Sequence, residues 1–453
     1  MRTETNVTAR KMRQVAQGKA PIFPLIGTTI ILAVYVIVIV FNIPMSYVRG
    51  FSVKNLILYV MFLYLLMAGP NRGRFSIKAE VMIPFMWLIA FSALSLVYTA
   101  FFGGFKDYSL LDEVVFLKSN IFESLLLFWL FSSIFQNESN IHKSLLILLV
   151  FVGLTNIITV VDTYNIPDLG IIQVKAGHGN TEGAIGEPNQ YASYIALFLP
   201  PLISSCFSLR GVGRYIMILS TACSFSALLM TASRGGMIAA LVGIFILLAL
   251  WRRELGLARI VFLFLFVAIF LSIAYLALPE QEKETLVWKW NPEVRKELTP
   301  EEDYGSGRLD IWKIGGAAFL KSPIVGTGWD TYTYVTRSAL KHGFAAHNTY
   351  IHYFVTLGLI GGVLFIFILW KIHRILWRVM KKKLTAPETV ILRGYAAGFY
   401  SLLTAIIFVD LFSPWNFFWI YTGLVMGLSS SILARDDKGE QTYGKFVSNK
   451  SKM

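Results

Sequence analysis

Apolar runs long enough to cross a hydrocarbon core recur along almost the whole chain, and no other feature restricts its fold so strongly. Twelve fall near residues 22–42, 55–69, 80–102, 114–135, 143–161, 189–207, 213–231, 235–251, 257–278, 348–370, 388–409 and 414–433. With 55% hydrophobic and only 15% charged residues among 453, too little charge is present to solvate a soluble protein of this size. The 35 Phe and 11 Trp residues suit aromatic belts at the bilayer interfaces. The first run follows a basic arm and is too long for a cleavable signal core, so it is expected to remain as a span. Cys206 and Cys223 both lie in apolar segments, which excludes a disulfide-stapled outer domain. The fourth run is interrupted by Lys118, Asn120 and Glu123, groups that must face the bundle interior or snorkel.

The sequence thus predicts an all-α polytopic membrane protein of about 12 transmembrane helices. Its parts are a basic arm (1–21), spans one to nine (22–278), a helical outer loop between spans nine and ten (279–347), spans ten to twelve (348–433) and a basic tail (434–453). Lys and Arg concentrate in alternate connections, among them Arg72/Arg74/Lys78, Arg252/Arg253/Arg259 and Lys371 through Lys383. That asymmetry predicts a multi-pass protein of the cytoplasmic (inner) membrane with both termini cytoplasmic and the 279–345 loop outside. The net charge of +14 is then explained by anionic inner-leaflet lipid, and nucleic acid is not an expected partner.

Three outer-face features carry chemistry. Arg234 lies in the tight turn Ala232-Ser233-Arg234-Gly235-Gly236 between spans seven and eight. Arg308 follows Gly305-Ser306-Gly307 and opens a predicted helix to about Leu320, ended by Ser322-Pro323, with Leu309, Trp312 and Phe319 as an apolar stripe lying on the membrane surface. An Arg beside free helix N–H groups suits an anion; the bland reading is an ion pair with Asp310, Glu301 or Glu302. His347 precedes Asn348 at the outer end of span ten, where an imidazole titrates near neutral pH and can accept a hydroxyl proton. No metal-ligand spacing, nucleophile elbow or nucleotide loop accompanies these residues, so neither metal nor cofactor is expected. The Gly-rich turn from Gly177 to Gly186 runs into Glu187-Pro188-Asn189, which opens span six.

Taken in order, Ser233-Arg234-Gly235, Arg308…Trp312…Pro323-x-x-Gly326-x-Gly328 and His347-Asn348…Gly358-Leu-Ile-Gly361 resemble the O-antigen ligase/polymerase superfamily over roughly residues 186–365. Gly186-x-Pro188-Asn189 also looks like a feature of that family. The resemblance implies a membrane glycosyltransferase of cell-surface polysaccharide assembly, moving a glycan from a polyprenyl-diphosphate carrier to a glycan, lipid or protein acceptor outside the membrane. It implies metal-independent, inverting chemistry, with Arg234 and Arg308 on the diphosphate and His347 as base. Asn348, Asn189 and Trp312 join the arginines as implied substrate contacts. Thr356 stands where many members carry an acid two positions before the Gly358 equivalent, so that acid's role falls away or passes to Asp410, Asp162 or Glu187. Ligase and polymerase are not separated by these motifs, and association with a chain-length regulator is left open. The alternative from another class is a lipid-linked oligosaccharide flippase or polysaccharide transporter. The lack of two echoing halves and the single large outer loop argue against it.

Overall fold

A computed structural model describes residues 35, 52–68, 75–134, 138–163, 181, 183–278, 280–291, 307–410 and 416–450. The described residues are helical, with no strand among them. In order they form α1 (Val53–Ala68), α2 (Phe75–Phe102), α3 (Leu110–Leu117), a π-turn (Lys118–Phe122), α4 (Glu123–Ile134), α5 (Glu138–Thr163), α6 (Pro188–Ser208) and α7 (Val212–Met230). There follow α8 (Arg234–Ala277), α9 (Glu280–Trp290), α10 (Arg308–Lys321), α11 (Tyr332–Leu340), α12 (Thr349–Met380), α13 (Ala386–Ala405) and α14 (Asn416–Lys450). Among the described residues, eight segments are long and apolar enough to cross a membrane: Ala79–Phe102, Leu110–Ser133, Ser144–Val161, Pro188–Ser208, Val212–Met230, Arg234–Arg252, Thr349–Met380 and Asn416–Arg435. Of the other expected spans, the second, ninth and eleventh are helical. The first, near 22–42, lies outside the described residues save Tyr35, as do the Gly-rich turn at 177–180 and Gly305-Ser306. The predicted connection between spans eight and nine, 252–256, appears as a break inside α8, where Gly256 has φ 69°.

The centre of the bundle is α6, sandwiched by α8 and α13. Their approach depends on small residues, as in membrane helix packing generally. A Cβ on Gly236 would lie 2.3 Å from that of Ala192, and one on Gly398 would lie 2.1 Å from the Leu197 carbonyl oxygen. Around this core α4 packs on α14, α5 on α7 and α2 on α12. The polar interruption of the fourth span turns inward. Glu123 is buried, 3.0 Å from Lys118 Nζ, and accepts a 2.7 Å hydrogen bond from Tyr59 Oη. The π-turn falls on these residues.

The backbone of α12 is broken at Gly358, which has φ 62° and ψ −163°. An unbroken helix would bond the Leu359 and Ile360 N–H groups to the carbonyls of Val355 and Thr356. Instead Thr327 and Gly328 donate to those carbonyls at 3.0 and 2.8 Å, and Leu359 and Ile360 donate to Pro323 and Ile324 at 2.8 and 3.3 Å. The Pro323-x-x-Gly326-x-Gly328 segment is thereby stitched into the helix. Glycine is required where the two backbones meet: a Cβ on Gly358 would sit 2.3 Å from the Ile324 oxygen, at a φ that L-residues avoid. Thr356 is buried and donates its hydroxyl to the His352 carbonyl, so it serves the helix.

Candidate functional site: four helix N-termini at one end of the bundle

Both arginines are the first residues of their helices. Arg234 opens α8, whose N-cap Ser233 accepts the Gly236 N–H. It follows Ala232, held at φ 48°, a left-handed conformation uncommon for alanine. The residues expected as a simple turn therefore form a helix start. Arg308 opens α10, whose N-cap Gly307 has φ 71° and supplies no side-chain cap. That helix ends at Lys321 with Ser322 as C-cap, as the sequence predicts. Its buried face is Ile311 and Gly315, with Trp312 and Phe319 partly packed. Leu309 is exposed, one residue off that packed face. Asp310 pairs with Lys313 at 2.8 Å, so it is not the ion-pair partner of Arg308.

Two further N-termini complete the arrangement. Glu187 caps α6, accepting N–H bonds from Asn189 (3.1 Å) and Gln190 (2.6 Å) and a 2.9 Å bond from Asn189 Nδ2. Asn189 Oδ1 accepts from Ser233 Oγ at 2.8 Å, which joins the start of α6 to that of α8. Asn348 caps α12 through a 3.0 Å bond from the Ile351 N–H to its Oδ1. Asp410, just after α13, accepts the N–H groups of His347 and Asn348 at 2.8 and 3.0 Å. Thr349 adds a 2.7 Å hydroxyl bond to the Val409 carbonyl. A Cβ on Gly235 would collide with Phe408, so α8 also abuts this corner.

Trp312 places α10 over the same corner. Its indole N–H donates to the Ala346 carbonyl at 2.8 Å, and Arg308 lies one helical turn earlier on the same face. Arg308 thus stands among Arg234, Glu187 and Asp410, close enough for all three to act on its charge. Burial and then Arg234 push its pKa below the ordinary value, against Glu187 and Asp410. His347 is similarly held below its ordinary range, first by burial and then by Arg308, with Glu187 opposing. At neutral pH it is an uncharged imidazole, the form that accepts a proton. Asp410 is pushed up to about 6 by burial, although two N–H bonds and Arg308 favour its charged form. Among the described residues, Arg308 has no carboxylate within ion-pair distance, and no partner bonds the His347 ring. His347 itself has φ 49°, a strained conformation fixed by the Asp410 clasp.

The structure therefore brings Arg234, Arg308 and His347 to one end of the bundle, with Asn189, Asn348 and Trp312 beneath them. In the protein alone those three side chains hold helix ends in place. Glu187 and Asp410 emerge as constituents of the site; the sequence marked them only as substitutes for the acid absent at Thr356. Four helix N-termini, with their partial positive charge, meet here. Glu187 and Asp410 already neutralise those of α6 and α12, whereas α10 begins without a side-chain cap.

No curated protein matches the chain. Residues 219–366 match the family model described as O-antigen ligase, a stretch that contains Arg234, Arg308 and His347 but not Glu187, Asn189 or Asp410, and this match supports membership of the chain in the O-antigen ligase superfamily.

Proposed function

We propose that the protein transfers a glycan from a polyprenyl-diphosphate carrier to an acceptor hydroxyl, on the outer side of the cytoplasmic membrane. The family match supports the coarser reading, a function of the O-antigen ligase/polymerase type. The observation that carries the narrower reading is the placement of Arg308, a cation without an ion-pair partner among the described residues, between Arg234 and His347. Two guanidinium groups beside an uncapped helix N-terminus suit the diphosphate, and a neutral imidazole next to them suits the incoming hydroxyl.

In the proposed step the acceptor oxygen bonds to the anomeric carbon as the bond from that carbon to the diphosphate breaks. The electron pair passes to the leaving phosphate oxygen, whose growing charge Arg234 and Arg308 stabilise. The hydroxyl proton passes to His347, and attack opposite the leaving group inverts the anomeric centre. Asp410 is a positioning residue, because it fixes the His347 backbone rather than touching the ring.

The test is transfer by purified protein in EDTA, with a polyprenyl-diphosphate oligosaccharide and glycan, lipid and peptide acceptors. Acceptor-dependent release of polyprenyl diphosphate, abolished in His347→Ala, is expected. No release with any acceptor, together with movement of labelled lipid-linked sugar across liposomes, would replace this reading with the flippase.

A further inference from the structure

Beside the site lies a second polar cluster that the mechanism above does not use. The loop after α2 and the first turn of α3 bring Phe105, Tyr108 and Glu113 against Asp330 and Tyr334, at the start of α11. The segment before α11 is pinned there: the Trp329 N–H donates to Ser95 Oγ at 3.1 Å, and a Cβ on Gly328 would overlap Thr99. Tyr334 donates to Glu113 Oε1 at 3.3 Å. Glu113 is only 6% exposed, yet its Oε2 has no hydrogen-bond partner, and neither does the buried hydroxyl of Tyr108. Two such atoms left unsatisfied carry a desolvation cost that a ligand with hydroxyl groups would relieve. Asp330 stands at φ 54°, its Oδ1 3.8 Å from His352 Nε2. Burial, Glu113 and Asp410 hold its carboxyl well above the usual range. A protonated carboxyl can donate as well as accept. Half-buried rings flank the acids, with Tyr334 5.7 Å from Phe105 and 5.6 Å from Tyr108.

Carboxyl groups that take hydroxyl hydrogens, beside rings that cover the apolar face of a pyranose, are the chemistry of sugar recognition. The charge order along this face gives the cluster its side. Arg234 couples to Arg308, Arg308 to His347 and Asp410, Asp410 to Asp330, and Asp330 to Glu113. Asp330 and Glu113 therefore lie on the far side of Asp410 from the arginines that suit a diphosphate. We propose that Glu113, Asp330, Tyr108 and Tyr334 form a subsite for an uncharged saccharide, the acceptor sugar whose hydroxyl faces His347. This assignment rests on the transfer reading for its orientation.

The test needs no turnover. Wild-type protein in lipid nanodiscs is probed by saturation-transfer NMR with neutral methyl glycosides of hexoses, 6-deoxyhexoses and N-acetylhexosamines, and by phosphorus NMR with inorganic diphosphate. At least one glycoside should bind, and Glu113→Gln with Tyr108→Phe should reduce its signal at least tenfold while diphosphate binding is retained. Equal glycoside binding by the variant, or none by wild type, overturns the subsite. Loss of the diphosphate signal in wild type would instead count against the transfer reading. If the double variant does not elute as a folded species, Tyr334→Phe, which only removes a hydroxyl, takes its place with at least a threefold loss expected. In a transfer assay the acceptor KM should rise in these variants while the donor KM stays constant; the reverse pattern would assign the cluster to the donor glycan.

Discussion

The two ends of α12 treat charge in opposite ways. At the Met380 end, cations have structural employment. Arg378 pairs with Glu80 at 2.6 Å, Arg435 meets the buried Glu388 at 3.1 Å, and Lys371 and Arg374 lie over the Trp370 ring. Glu388 in turn closes a capping box with Thr385 at the start of α13. At the Thr349 end, Arg308 sits beside another arginine, and His347 is held neutral in a strained backbone conformation. Proteins resolve buried like charges by pairing them, so an arrangement that brings two arginines together is kept for a ligand that is anionic. The cations with carboxylate partners therefore mark architecture, and Arg308, which has none among the described residues, marks the candidate chemistry.

That contrast can be broken most sharply at His347. His347→Ala should lower transfer by about 10²–10⁴-fold, with the protein still folded in the membrane. A rate within a few-fold of wild type would remove the base. Arg308→Ala should cost about 10²–10³-fold, and Arg308→Lys should recover only part of it because an ammonium cannot bind phosphate oxygens as a fork. Full rescue by lysine would reduce the guanidinium to a mere positive charge. Next in size is Gly358→Ala, where a clash with the Ile324 carbonyl adds to the strain of a left-handed residue. It should destabilise by about 2 kcal/mol or more, seen as earlier thermal unfolding and loss of transfer together. Unchanged unfolding would show that the break tolerates a side chain.

Acidification provides a subtler probe. Asp410 holds the His347 and Asn348 amides as a carboxylate, so its grip weakens as pH falls through about 6. His347 gains its proton below the ordinary 6.5, because burial and Arg308 disfavour its charge. Both changes remove activity on the acid side, and Asp410→Asn should move the midpoint of that limb to lower pH. An unmoved midpoint would assign the limb to another group. The smallest effect is expected at the opposite end. Arg378→Ala breaks a partly exposed pair worth roughly 0–1 kcal/mol and should leave transfer within about twofold of wild type. A large loss of transfer there would contradict the division between the two ends.

Much of this architecture was legible because membrane helices announce themselves locally. The run at 189–207 is α6, that at 213–231 is α7, and the helix opened by Arg308 ends at Ser322. Caps and breakers act within a few residues, so a linear reading finds them. The partnerships of Glu187 and Asp410 were not legible, since each depends on segments distant in sequence meeting at one corner. Gly326, Gly328 and Gly358 were visible as a motif, but their shared purpose was not. Only the fold shows that one set of glycines exists to admit the other's backbone.

The stitched break at Gly358 also bears on how the protein is made. Gly358 lies nine residues into α12, about 14 Å from its N-terminus at 1.5 Å per residue. At that depth the amides and carbonyls exposed by the break have no water to bond. Their partners belong to residues 323–328, which leave the ribosome before α12 does. The backbone of this span is therefore satisfied only once the preceding loop has docked. A chain that delivered the span without its loop would hold an unfinished helix in the bilayer, a natural signal for membrane quality control.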